Sequence, residues 1–265
     1  MSTSSGDHTV TIAGGGIAAL EAVLALRDLA GGVGLELLAP QPDADYRPLS
    51  VLEPFALGEM PTLDLERFAE EHGAVLHRDT LVAVEPGERT LVTGKGERRE
   101  YGTLIVAAGA RALESIPGSV MFRGSKDQRK LGLLLEELAQ GDLSSVAFAV
   151  PAGQAWSLPA YELALMTHAS LAARGVSGVA LQLVTPEPRP LGAFGERASA
   201  AVADLLRSDG IELHTDTTAE RFEEGVLSTS KGDIRTDRVV SLPRLVGPRL
   251  KGLPSDEQGF IPTDE

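Results

Sequence analysis

The chain contains no cysteine. That absence removes structural disulfides, thiolate metal sites, thiol nucleophiles and any redox-active cysteine pair. Aromatic residues make up only 4%, with a single tryptophan, and positive charge is scarce: 24 Lys and Arg against 38 Asp and Glu leave a net charge of −14. Such a field repels phosphate backbones and offers few rings for base stacking, so nucleic acid and anionic membranes are poor partners. No apolar run reaches the roughly 18 residues of a membrane helix, and the N-terminus has no basic segment leading into an apolar one. A cytoplasmic protein without a transmembrane segment is expected. With 29 Gly and 16 Pro among 265 residues the chain stays below the roughly 25–30% of a low-complexity sequence. Its 43% of hydrophobic residues can fill one large domain or two ordinary ones.

What is present repeats. Residues 73–80 read GAVLHRDT and residues 210–217 read GIELHTDT, each after a helix-like stretch (LERFAEEH, then VADLLRS). The following segments match as well, ERTLVTGKGERREYGTLIVAAG against EGVLSTSKGDIRTDRVVSLPR. Earlier, VTIAGGGIAALEAVLALRDLAG pairs with VAFAVPAGQAWSLPAYELALMTHASLAARG, and LELLAPQPDADYRPL with LQLVTPEPRPL. Shared residues in matching contexts read as duplication, although α/β proteins can share a compositional rhythm without it.

Each copy predicts a strand, a turn, a helix, a strand, a loop, a second helix, short strands and a final apolar strand. The runs Val10 to Ala13, Leu35 to Leu38, Leu104 to Ala108 and Val146 to Val150 suit parallel strands covered on both faces. The turn-rich stretches 81–102 and 219–236 predict small antiparallel meanders. The fold class is therefore α/β, with two tandem Rossmann-like three-layer domains, each holding a parallel sheet and a meander. Ile116-Pro117-Gly118-Ser119 breaks the pattern, so the domains are expected at 1–115 and 116–250, with a tail at 251–265 returning towards the first.

The first copy runs from its strand into Gly14-Gly15-Gly16-Ile17-Ala18-Ala19, a GxGxxA turn. Gly14 permits the tight turn, Gly16 lets backbone approach a pyrophosphate, and small Ala19 lets the helix lie close to the sheet. Ile17 and Ala18 open the helix, where free amides and the dipole favour phosphate. A glycine turn used only for packing is the alternative. The helix is expected over 17–30, with Ile17, Leu20 and Leu24 on one stripe and Gly31-Gly32 ending it. The acid that often meets the adenosine ribose is missing: the second strand ends with Ala39 at that position. Glu36 lies within the strand and points elsewhere, while Asp43 or Asp45 can substitute.

Taken together, the chain resembles the flavoprotein superfamily with two dinucleotide-binding folds, specifically its sulfide:quinone oxidoreductase and NADH dehydrogenase-like branch. The matching motifs are GGGIAALE, Tyr46-Arg47-Pro48-Leu49, the strand from Tyr101 to Ala110, and Gly252-Leu253-Pro254 followed by Gly259-Phe260-Ile261. The resemblance implies FAD as cofactor, Ala107-Ala108-Gly109 running beside the flavin, and the backbone of Leu81 meeting the adenine. Arg47 can meet a pyrophosphate or flavin, or serve in a structural salt bridge.

The second copy departs from the pattern, reading Val150-Pro151-Ala152-Gly153-Gln154-Ala155-Trp156-Ser157-Leu158-Pro159-Ala160-Tyr161-Glu162. Two prolines stiffen this turn and Trp156 adds bulk where phosphate needs space, so it is poorly suited to NAD(P)H, whose binding stays open. The segment resembles the proline-tyrosine-glutamate stretch of the sulfide:quinone branch, whose members receive electrons without a nicotinamide. Glu162 is the candidate catalytic residue, moving protons near a flavin; a first-turn helix acid is its plain alternative. Sulfide oxidation in that branch relies on cysteines, which this chain lacks. The family normally continues past Gly259-Phe260-Ile261, so the end at Glu265 reads as a fragment or a shortened relative with an incomplete flavin site.

His8, His72, His77, His168 and His214 show no ligand spacing, so no metal site is expected. Neither a GxSxG elbow nor a P-loop occurs. Glu66, Glu70 and Glu71, like Glu136 and Glu137, read as solvated helix faces. The function expected is FAD-dependent electron or hydride transfer with a small-molecule donor and acceptor, a quinone among them in a full-length form. The alternatives are a non-catalytic nucleotide-binding or interaction protein on a decayed flavoprotein scaffold, and a plain adenine-nucleotide site.

Overall fold

A computed structural model describes residues 9–153 and 155–263; His8 and Gln154, named above, lie outside the described residues. The chain forms two units, one from 1–46, 61–111 and 246–265, the other from 47–60 and 112–245.

In the first unit, β1 (Thr9–Ala13), α1 (Ile17–Leu29), β2 (Gly34–Leu38), β3 (Asp43–Asp45), β4 (Thr62–Asp64), α2 (Leu65–Glu71) and β5 (Ala74–His77) follow one another. Next come β6 (Leu81–Glu85), β7 (Thr90–Thr93), β8 (Arg98–Glu100) and β9 (Thr103–Val106). The main sheet has the order β5-β2-β1-β9, all parallel, and β6-β7-β8 form an antiparallel meander. Alternation along the strands divides the core. Ile12 and Leu37 face the helices with Ala19, Val23 and Phe68, whereas Ala13 and Leu38 face the meander with Leu81, Val84 and Leu91. The result is three layers: helices, sheet, meander. The stripe expected on α1 is rotated: Leu20 is buried with Ala19 and Val23, but Ile17 and Leu24 are each 40% exposed. Ala19, Leu20 and Val23 meet the sheet in place of Ile17 and Leu24, and the small Ala19 lets the helix lie close.

In the second unit, β11 (Val120–Met121), α3 (Gln128–Gln140), β12 (Ser145–Ala149), α4 (Leu158–Ala173), β13 (Ala180–Val184), α5 (Glu196–Ser208) and β14 (Glu212–His214) lead to the meander β15 (Ala219–Glu223), β16 (Val226–Thr229) and β17 (Gly232–Arg235), then β18 (Arg238–Ser241). The short strands β10 (Arg111–Leu113) and β19 (Arg244–Val246) lie where the chain passes from one unit to the other. The sheet order is β11-β18-β12-β13-β14, again parallel. Phe148 and Leu183 face the helical core with Leu163 and Leu206, while Ala147, Ala149 and Val184 face the meander with Leu227 and Val239. The 3-10 helix Arg47–Phe55 belongs here because Val51 is buried among Phe122, Leu131 and Leu134, with Leu52 and Phe55 packed against them.

The two units repeat individual bonds. The amide of Ala39 donates to the His77 carbonyl at 3.0 Å, and that of Thr185 to the His214 carbonyl at 2.9 Å. Lys95 Nζ donates to the Arg78 carbonyl at 2.7 Å, and Lys231 Nζ to the Thr215 carbonyl at 3.1 Å. The shared histidine, aspartate and threonine thus sit at the same corner of each fold, where the loop after the outer strand enters the meander.

Candidate functional site

In the first unit, strand order reverses beside β1: β2 and β5 lie on one side and β9 on the other. Ligands of open α/β sheets bind at such a switch point, outside the carboxyl ends of the strands. Gly14 leaves β1 there with φ +147°, and a Cβ built on it would stand 2.0 Å from the Ala107 carbonyl oxygen. Only glycine fits this approach of two backbones. Gly16 is the opposite case, since a Cβ on it meets nothing within 4 Å. Gly16 caps α1 without any side-chain bond, and Ile17 and Ala18 are exposed. The first amides of a helix have no partner within it, so this end offers donors and positive potential to open space. The residues fit the pyrophosphate of a dinucleotide.

Around this turn, Ala39 is fully buried, and a Cβ on Gly15 would press on it at 2.8 Å. Glu36 points away, as expected, towards Arg99 at 3.5 Å and His77 at 3.7 Å. Asp43 and Asp45 stand exposed on β3. Leu81 starts β6 and is buried at 8% exposure. Ala107, Ala108 and Gly109 follow β9 and line a cavity of about 430 Å³ with Pro248, Leu253 and Phe260. Gly109 has φ +70° and open space before it.

The second unit holds a separate cavity of about 220 Å³, bordered by Arg47, Arg123, Trp156 and Glu162 and walled by Val51, Phe122, Pro159 and Leu242. Arg123 is committed: it grips Asp127 with two bonds, at 2.7 and 2.9 Å. Arg47 has no ion-pair partner among the described residues, so the structural salt bridge considered for it is not made. Glu162 lies in the second turn of α4, not the first, which removes the plain reading of a first-turn acid. It is half-buried without a hydrogen bond among the described residues, and that burial pushes its carboxyl above its ordinary pKa. An apolar hollow with one free cation and one acid of raised pKa, both among the described residues, suits a small organic molecule with acceptor oxygens.

No family model matches the chain. It is 25% identical over 242 residues to the sulfide-quinone reductase of Aquifex aeolicus (strain VF5), matching 88% of this chain but 53% of that protein. The chain thus spans about half the length of this relative. The solved sulfide:quinone oxidoreductase of Aquifex aeolicus superposes with a TM-score of 0.79 at 22% identity, over 91% of this chain and 60% of that one. The ferredoxin reductase of the CYP199A2 system from Rhodopseudomonas palustris gives 0.67 at 22% identity, over 94% and 63%. The water-forming NADH oxidase of Lactobacillus brevis gives 0.63 at 16% identity, over 97% and 59%. The fold is that of the oxidoreductases with tandem dinucleotide folds.

Within this tandem dinucleotide fold the two turns differ. In the first, residues 14–16 join β1 to α1; in the second, residues 150–157 join β12 to α4. A Cβ on Gly153, at φ +89°, would touch Arg244 Cδ at an ordinary 3.6 Å. Trp156 packs edge-on to Phe194 with ring centres 5.7 Å apart. The sequence reading missed one group here altogether. Glu187, just beyond β13, accepts bonds from Tyr161 Oη at 2.7 Å, Thr185 Oγ1 at 3.0 Å and Ser157 Oγ at 3.1 Å. Burial and the neighbouring carboxylate push the Tyr161 phenol strongly upward, so it stays a donor. The counterpart of Ala39 in this unit is Thr185, whose amide bonds the His214 carbonyl as that of Ala39 bonds the His77 carbonyl, and Glu187 lies two residues beyond it. Among the described residues no group of three or more acids and histidines could hold a metal ion, and no helix is long and apolar enough to cross a membrane.

Proposed function

We propose that the first unit binds FAD and that the protein is an FAD-dependent oxidoreductase. The observation that carries this reading is the open turn at Gly16, set at the switch point of a parallel sheet and aimed by the close packing of Gly14 on Ala107. In this reading Gly16, Ile17 and Ala18 hold the pyrophosphate through backbone amides, and Ala39 and Leu81 border the adenosine. Ala108 and Gly109 border the flavin with a backbone free of bulky side chains. The flavin supplies hydride or electron transfer; the protein supplies orientation and electrostatics.

The cavity of the second unit is proposed to take the organic redox partner, a quinone being the acceptor that the Aquifex relative's name suggests. Its apolar walls favour an organic ring, the Arg47 guanidinium attracts an acceptor oxygen, and the Glu162 carboxyl, whose pKa burial raises, exchanges a proton with the substrate. Cysteine-based sulfide oxidation has no residue to perform it in this chain.

The full chain, purified and desalted, should carry flavin absorbance or regain it when FAD is added. Failure of both refutes the FAD reading. ADP binding as tight as FAD in calorimetry would instead support a plain adenine-nucleotide site.

A further inference from the structure

The second unit has a further cavity, of about 520 Å³, at the end of its sheet away from the turn 150–157. It lies where α4 ends, where the loop 175–179 leads into β13, and where α5 turns towards β14. Its floor is apolar because Leu171 and Leu181 are buried in the helical core and Val176 and Val179 pack against that core. Its rim stays open, since a Cβ built on Gly175, Gly178 or Gly210 meets nothing within 4 Å. Two polar side chains from different helices stand beside this floor. Nδ1 of His168, on α4, lies 3.3 Å from Oδ2 of Asp209, at the end of α5, and both side chains are half-buried. A carboxylate has no proton to give, so its charge favours the imidazole tautomer protonated on Nδ1. Nε2 then keeps its lone pair, and it has no partner among the described residues.

We propose that this cavity binds a small uncharged organic molecule of the phenol class, whose hydroxyl donates to His168 Nε2 while its ring covers Leu171, Val176, Val179 and Leu181. The lining selects this class step by step. An apolar floor calls for a carbon body, and an acceptor nitrogen calls for a donor on the ligand, which ethers and ketones lack. The lining holds one acid and neither lysine nor arginine, and the chain carries a net charge of −14, so carboxylates and phosphates are disfavoured. An ammonium fares no better, because Asp209 is engaged at both oxygens, Oδ2 by His168 and Oδ1 by Ser208 Oγ at 3.3 Å. The cavity shares no lining residue with the one beside Arg47 and Glu162, and it does not depend on FAD in the first unit.

The test is a saturation-transfer NMR titration of the full chain with 4-methylphenol and with its methyl ether, 4-methylanisole, a matched probe that lacks the donor. 4-Methylphenol should bind saturably with a Kd of about 1 mM or tighter, within reach of so small a ligand. The ether should bind roughly tenfold more weakly, the worth of one hydrogen bond. His168→Phe keeps a ring in place and removes the acceptor, so the variant should bind the two probes alike, which also assigns the site to this cavity. The comparison of probes on the native chain stands whether or not the variant folds. Absence of saturable 4-methylphenol binding, equal binding of the ether, or a preference that survives in folded His168→Phe overturns the proposal. Tighter binding of 4-methylbenzylamine than of 4-methylphenol would make Asp209 the centre of a cation site, and would overturn it as well.

Discussion

The two outer glycines of the first turn make opposite predictions from neighbouring positions. In Gly14→Ala the new methyl would stand 2.0 Å from the Ala107 carbonyl oxygen and 2.6 Å from its carbon, at φ +147°. Relief requires β1 and β9 to part where Ala13 pairs with Val106 and where the Ala107 amide bonds the Ala13 carbonyl at 2.8 Å. The backbone strain is worth roughly 1–3 kcal/mol and the lost hydrogen bond about 1 kcal/mol, a total of roughly 2–4 kcal/mol. For a protein of this size that lowers Tm by roughly 4–16 °C. Gly16→Ala adds a methyl to empty space at φ −96°, costing only about 0.5 kcal/mol at a helix N-cap. Yet the methyl occupies the approach to the phosphates. Loss of one amide bond to an anion, about 1.5–3 kcal/mol, weakens FAD binding by roughly 10–150-fold. Thermal melts and flavin titrations of both variants check this. A Gly14→Ala protein melting like the native one refutes the close approach of the strands, and native FAD affinity in Gly16→Ala refutes the pyrophosphate site.

Other predictions concern titration and the buried acids. Burial raises the Glu162 carboxyl in the folded state, so the native protein binds more protons there than the unfolded chain and loses stability as pH rises from the unfolded value through the folded one. Glu162→Gln should remove that part of the pH dependence, seen as a smaller fall in Tm across the same interval; an unchanged profile would mean the carboxyl is fully hydrated. Asp127 behaves oppositely: its bonds to Arg123 hold its pKa down, giving stability that is present above the unfolded carboxylate pKa and lost as pH falls through the folded one. Asp127→Asn should cost about 1.5–3 kcal/mol at neutral pH in denaturant unfolding, and much less once the acid is protonated. A cost that persists at low pH would assign the effect to packing instead.

Much of the fold was readable because it rests on local pattern. Continuous apolar runs specify strands covered on both faces, and the alternation of Phe148 with Ala147 and Ala149 sorts large and small side chains to the helical and meander layers without any knowledge of neighbours. The turn at Gly14 was equally legible, since a strand entering a helix through so tight a connection requires glycine wherever it occurs. The histidine-containing repeat likewise marked the corner that the two units share, because the same short loop must solve the same geometry twice.

Other features depend on which distant residues meet. The buried stripe of α1 runs through Ala19 rather than Ile17 because the sheet presses close, and hydropathy alone favours the larger side chain. The 3-10 helix carrying Arg47 sits with the second unit because Val51 completes a core built from residues beyond Ala112, a long-range match that no local window contains. The Glu187 network has the same character: its acid follows β13 and two of its donors open α4, so nothing in either segment announces their encounter. Short-range periodicity and turn chemistry are written residue by residue along the chain. The pairing of a cation, an acid or a hydroxyl across many residues exists only once the sheet and its crossovers have brought them together.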